Sequence, residues 1–183
     1  MRYVIAIDVG IKNLSVCVFD FRSTQIVRWE TLSLVSNGRY IPSQNVRYVR
    51  DLVHELKEYF DEAFQVLIER QMRCNMRIIE SVIQSMFYDV TIVISARSIK
   101  MHYHIGCNNY RANKQKAVKW AREFCLHNPH AFATDIARVL ARSKKADDLA
   151  DSLLLLLYYL DTYSNQLDET LQWETPILHV DED

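Results

Sequence analysis

Glycine and proline are scarce in this chain, with three of each in 183 residues. That poverty, with an apolar content of 49%, excludes collagen-like and low-complexity architectures and points to a well-packed globular protein. Cysteine is also sparse. Cys17, Cys74, Cys107 and Cys125 form no CxxC pair, and Met1-Arg-Tyr passes directly into apolar sequence without a secretory leader or an amphipathic transit peptide. The expectation is an intracellular, reduced protein. Long hydrophobic runs are missing as well: the longest late one, Leu153 to Leu160, falls well short of the roughly 20 residues needed to cross a bilayer. Neither a membrane span nor a small-molecule cofactor is expected. The length suits one domain over residues 1–183, with a weakly patterned acidic tail from about residue 164.

The formal net charge is -1, but that mean conceals a segregation of charge. From Arg97 to Lys145 eleven Lys or Arg face two acids, Glu123 and Asp135, whereas ten acids and no Lys or Arg follow Lys145. A basic stretch of this kind is either a solvated helix face or a track for a polyanion, whose binding would weaken steeply with salt.

Tyr3 to Ile7, Leu14 to Phe19 and Ile26 to Leu34 are apolar or alternating runs separated by short polar segments, which predicts an antiparallel meander of three strands. Apolar residues at helical spacing from Ser43 to Phe60, with Ser43 as N-cap, predict a helix. Gln65–Glu69 and Val90–Ser95 read as two further strands around a helix from Asn75 to Tyr88, which is core or dimer interface. Arg97–Tyr110 reads as a loop. Helices are expected over Asn113–Cys125, Thr134–Ala141 and Asp147–Tyr163. The fold class is α/β, a mixed five-stranded sheet flanked by helices.

Four carboxylates have the placement of a divalent metal site. Asp8 closes the first strand before Gly10, Glu69 closes the fourth, and Asp148 and Asp151 stand three apart in the first turns of the last helix, on one face. Convergent carboxylates repel by roughly 4 kcal/mol per close pair at an intermediate dielectric, a penalty that a cation removes. Oxygen donors suit Mg²⁺ or Mn²⁺ rather than zinc. Asp147, four residues before Asp151, is an alternative to Asp148 as the ligand. The bland reading makes the helical acids caps or dipole partners and Asp8 a turn former.

The segments IDVGIKN at Asp8, LIERQ at Glu69 and KADDLADS at Asp148 and Asp151 together resemble the RuvC-type Holliday junction resolvases of the ribonuclease H-like superfamily. In length, start and the RANKQKAV segment the chain most resembles their poxvirus members, from Arg2 to about Leu160. The resemblance implies a homodimeric endonuclease that binds four-way DNA junctions and makes paired symmetric nicks. It also implies two metals spanning Asp8, Glu69, Asp148 and Asp151, and a functional lysine matched by Lys114 or by Lys116. For a viral member the compartment would be the host cytoplasm.

Arg70, Arg73, Arg77, Lys100, Arg111, Lys114, Lys116, Lys119 and Arg122 are the expected DNA contacts, made to phosphates and blind to base sequence. Tyr103 and Tyr110 are read as packing residues first and base-stacking residues second. His102, His104, Cys107, Cys125, His127 and His130 offer donors for zinc, but in no familiar spacing. Asp-Val-Gly after a strand also resembles the phosphate loop of sugar kinases and actin, which usually have two such domains and a second glycine-rich loop. Other ribonuclease H-like nucleases, or an inert nucleic-acid-binding module with structural acids, complete the alternatives.

Overall fold

The computed structural model describes residues 1–35, 38–107, 109–133, 136–163 and 173–176. Strands β1 (Tyr3–Asp8), β2 (Leu14–Asp20) and β3 (Gln25–Leu32) form the expected antiparallel meander. Strands β4 (Ala63–Glu69) and β5 (Thr91–Ile94) join β1 in parallel, which gives the order β3-β2-β1-β4-β5. The mixed five-stranded sheet read from the sequence is therefore the sheet that forms.

Strand alternation sorts the side chains into two cores, one on each face of the sheet. Ile5, Ile7, Val66 and Ile68 face helices α1 (Asn45–Glu55) and α3 (Cys74–Met86), packing with Leu52, Ile79 and Ile83. Val4, Ala6, Cys17, Phe19 and Leu67 face the other way, onto α7 (Ala146–Tyr163) and α5 (Tyr110–His127). Leu153 to Leu157 are all buried, because α7 lies between the sheet and the helices outside it.

Several boundaries differ from expectation for local physical reasons. Ser43 does not cap α1; it lies in the 3₁₀ turn Pro42–Gln44, and α1 starts without a side-chain cap. The helix expected to run through to Phe60 breaks at Leu56, whose ψ of 22° leaves the α region before the short α2 (Lys57–Phe60). Arg97–Tyr110 is not wholly loop. Ser95 accepts a hydrogen bond from the Arg97 amide and starts α4 (Ala96–His102). Asn109 accepts from the amides of Arg111 and Ala112, so α5 begins three residues earlier than the apolar spacing indicates. Helix α6 covers Arg138–Arg142, and Thr134 and Asp135 of the expected helix lie outside the described residues.

Arg2 closes the base of the meander, its guanidinium donating to both carboxylate oxygens of the buried Asp20 at 2.7 and 2.5 Å. Within the region expected as an acidic tail, Trp173 packs edge-on to Phe19 and Phe124, and Glu174 exchanges two hydrogen bonds with Asn128. The rest of that tail lies outside the described residues. Among the described residues no helix is long and apolar enough to cross a membrane.

A fully buried leucine of α7 is expected to matter far more for stability than an exposed surface aromatic. Leu155→Ala should cost about 3 kcal/mol in urea unfolding, whereas Tyr88→Ala, at a position 76% exposed, should cost less than about 0.5 kcal/mol.

Candidate active site

Asp8 and Glu69 follow from strand parity. Each is an even number of residues from Ala6 or Leu67, so both project onto the face that α7 covers, at the C-terminal ends of adjacent parallel strands. The chain leaves β1 by a tight turn at Gly10, where a Cβ would stand 2.3 Å from the Asn13 carbonyl oxygen. No other residue fits that approach. Helix α7 starts above the same edge and carries Asp148 and Asp151 one turn apart.

The four carboxylates share one electrostatic environment. Burial, followed by the negative charges of Asp151 and Asp148, pushes the Asp8 carboxyl up to about 7. Burial is also the main cause for Glu69, which is raised well above its ordinary value with help from Asp8 and Asp151. Asp151 is pushed up to about 6 by burial, even though Lys100 and Lys114 oppose the shift. Asp148 is raised by burial and by the neighbouring Asp147.

Asp147 and Asp148 part company here. Asp147 is ion-paired with Lys114, and although burial works against its charge, that partner holds its carboxyl below the usual range. Asp148 has the opposite status: its Oδ2 is buried and has no hydrogen-bond partner among the described residues. A buried, unpartnered carboxylate oxygen is a natural cation ligand, since leaving it bare costs its full desolvation penalty.

As a donor set the residues fit a hard divalent cation: four carboxylates without histidine or cysteine, partly desolvated and mutually repelling. Their side chains are not drawn into a closed shell, and among the described residues no three His, Cys, Asp or Glu side chains already form a metal cluster. The same holds for the histidines and cysteines considered for zinc. His102 instead meets Asp161 at 3.1 Å and packs edge-on to Tyr103 and Tyr158.

Two lysines supply counter-charge. Lys114, half-buried on α5, favours ionisation of Asp8, Glu69 and Asp151, and Lys100 on α4 favours that of Glu69 and Asp151. Lys116 is two residues beyond Lys114, about 200° round the helix. Arg111, Lys114, Lys119 and Arg122 share a face of α5 and, with Lys144, line an open groove of about 570 Å³ whose acidic lining residues are Glu123 and Asp147. Arg70, Arg73 and Arg77 are exposed beyond the end of β4, with Arg73 preceding the first residue of α3. Tyr103 is buried and donates to Asp161 at 2.7 Å, which makes it a packing residue and removes it as a base-stacking one. Tyr110 is 71% exposed beside the Lys114 ammonium.

One contributor has no sequence signature. Gln71, 8% exposed, donates from Nε2 to the Asp8 carboxylate at 3.3 Å and to the Glu69 carbonyl at 3.0 Å. Its backbone N–H donates to the Glu80 carboxylate at 2.7 Å, so α3 fixes the residue that bridges β1 and β4. Its position two residues after Glu69 is the one available clue.

These shifts carry a definite sign. A carboxyl raised in the folded state retains its proton there longer than in the unfolded chain, so in the cation-free protein the cost of these raised groups is absent below about pH 4 and grows as pH rises through about 7. With chelator present, Asp8→Asn should match wild type near pH 4 and become the more stable protein by pH 8. Each unit of removed shift is worth about 1.4 kcal/mol. Scanning calorimetry across that range checks it, and equal stabilities at pH 8 would contradict it.

Similar folds are known. The crystal structure of the fowlpox virus Holliday junction resolvase superposes with a TM-score of 0.64 at 21% identity, covering 88% of this chain and 99% of that one. The yeast mitochondrial Holliday junction resolvase Ydc2 gives 0.63 at 20% identity, with 90% and 86% covered. Thermus thermophilus RuvC gives 0.55 at 13% identity, covering 87% and 95%. The shared architecture is ribonuclease H-like. No curated protein matches the sequence significantly. The family model described as "Poxvirus A22 protein" matches residues 2–163, nearly all of the described chain, and the protein belongs to that family.

Proposed function

We propose that the protein is a structure-selective endonuclease that resolves four-way DNA junctions and related branched DNA by metal-dependent phosphodiester hydrolysis. The observation that carries this reading is the convergence of Asp8, Glu69, Asp148 and Asp151 at one sheet edge, beside a groove lined by lysine and arginine. Acids alone would repel a phosphate, and bases alone would only bind it. Support for the substrate comes from the fold, which is shared with proteins described as Holliday junction resolvases, one of them in complex with substrate junction DNA.

Asp8, Glu69, Asp148 and Asp151 would hold the cation, Mg²⁺ or Mn²⁺ and two per site on the family's pattern. When bound, it would supply charge neutralisation and an activated water. The remaining work falls to the chain. Gln71 holds the Asp8 carboxylate in place, and Lys114, released from Asp147, would neutralise charge developing on the phosphate. Arg111, Lys119, Arg122 and Lys144 would guide one phosphate backbone toward the cleft. Paired nicks need two sites, hence a homodimer. Met72, Cys74, Ile78 and Val82 form a partly exposed apolar face on and beside α3 that suits such an interface. Family membership supports a role in viral DNA recombination and concatemer processing in the host cytoplasm.

With Mg²⁺ or Mn²⁺, a synthetic four-way junction should be nicked symmetrically while linear duplex of the same sequence stays largely intact; equal cleavage of both would sink the proposal. Asp151→Asn should keep junction binding and lose cleavage. In a salt titration of junction binding, each of Arg111→Ala, Lys119→Ala and Arg122→Ala should reduce the slope of log affinity against log salt by about 1. An unchanged slope in all three would remove the groove from the DNA path.

A further inference from the structure

Two of the four carboxylates ride on α7, whose other inward residues are mostly leucines. Leucines hold a helix against a sheet, but their contacts are non-directional and set its height above the sheet edge only loosely. A directional contact exists at the point where that height matters. Ser15 stands opposite Asp8 in the β1–β2 register and projects to the same face as Cys17 and Phe19, toward α7. Ser152 immediately follows Asp151.

Both hydroxyls are fully buried, with their oxygens 2.7 Å apart. The Ser152 oxygen lies 3.0 Å from the Leu149 carbonyl, and Ser15 has a longer alternative acceptor, the Glu30 carbonyl, at 3.4 Å. Two hydroxyls carry two protons. The arrangement with the better distances has Ser15 donating to Ser152 and Ser152 donating to Leu149. The Leu149 carbonyl also accepts from the Trp29 indole nitrogen at 3.0 Å. Strands β2 and β3 thus both reach the turn of α7 that bears Asp148 and Asp151. Ser152 keeps the Leu149 carbonyl of its own helix wherever α7 sits, but Ser15 would then have only the longer Glu30 contact, so the short bond between the two hydroxyls forms only while α7 keeps one setting over the sheet.

We infer that the Ser15–Ser152 hydrogen bond is a positioning device that sets the spacing of Asp148 and Asp151 from Asp8, and thereby the cation affinity of the cleft. The inference rests on the cation reading given above. Neither serine touches the reacting atoms; both act through the carboxylates beside them.

The test compares wild type, Ser152→Ala, Ser15→Ala and the double variant, with Ile83→Val as a control destabilised in the opposite core. Mn²⁺ binding to the full, DNA-free chain is read by electron paramagnetic resonance, and amide exchange over Ala146–Ser152 by mass spectrometry. Each serine variant should bind Mn²⁺ at least about tenfold more weakly, as loss of a ligand's supporting partner commonly does. The double variant should be no worse than the weaker single one, because both remove the same bond. Ile83→Val should keep wild-type affinity despite a lower melting temperature. Wild-type affinity in both serine variants overturns the inference, and so does an equal loss in the control. If wild type itself binds no Mn²⁺, the cation reading fails and amide exchange decides the rest: faster exchange confined to Ala146–Ser152 supports the positioning role, and unchanged exchange overturns it. Should Ser152→Ala fail to fold, Ser15→Ala answers the same question from the strand side.

Discussion

The structure is organised around a repulsion. Burial at one sheet edge raises Asp8, Glu69 and Asp151 above ordinary carboxyl values, and neighbouring negative charge adds to it: Asp151 acts on Asp8 and Glu69, and Asp148 and Asp147 act on Asp151. Such a cluster persists only if the surrounding fold over-determines it. Here β1 and β4 are locked in parallel register, Gly10 lets the chain turn sharply away, and Gln71 ties the two strand ends together. Stability given up at this edge is recovered by the leucine-rich contact of α7 with the sheet.

Charge is distributed to match. The lysines opposing the cluster sit on two different helices, Lys100 on α4 and Lys114 on α5, so the positive field approaches the acids from outside the sheet rather than along it. Lys114 occupies the boundary, favouring ionisation of the carboxylates while paired with Asp147 in the lining of the basic groove. The near-zero net charge is the sum of two strong local fields placed side by side.

Much of this was legible in the sequence. Continuous apolar runs marked Asp8 and Glu69 as strand-ending acids, and the three-residue spacing put Asp148 and Asp151 on one helix face. The choice between Asp147 and Asp148 was not legible, since both spacings put an acid near Asp151; the difference lies in Lys114, 33 residues away in sequence. Helix α4 was hidden for a related reason. Its seven residues are mostly polar, and it depends on the Ser95 cap and on packing of Ile99 rather than on an apolar stripe. The pairing of Ser15 with Ser152 spans 137 residues and involves two of the least diagnostic side chains, so only the tertiary structure brings it into view.

The match to the family ends at residue 163, yet the folded body does not. Trp173 makes edge-on contacts with Phe19 on β2 and Phe124 on α5, and two of the three hydrogen bonds of the Asn128 side-chain amide go to the backbone of Glu174, the third to the Phe124 carbonyl. A chain cut at the family boundary would uncover two core aromatics and leave a buried amide without those partners. The packed body of this protein therefore takes in Trp173 and Glu174, and truncation at the end of the last helix should lower stability through these contacts alone.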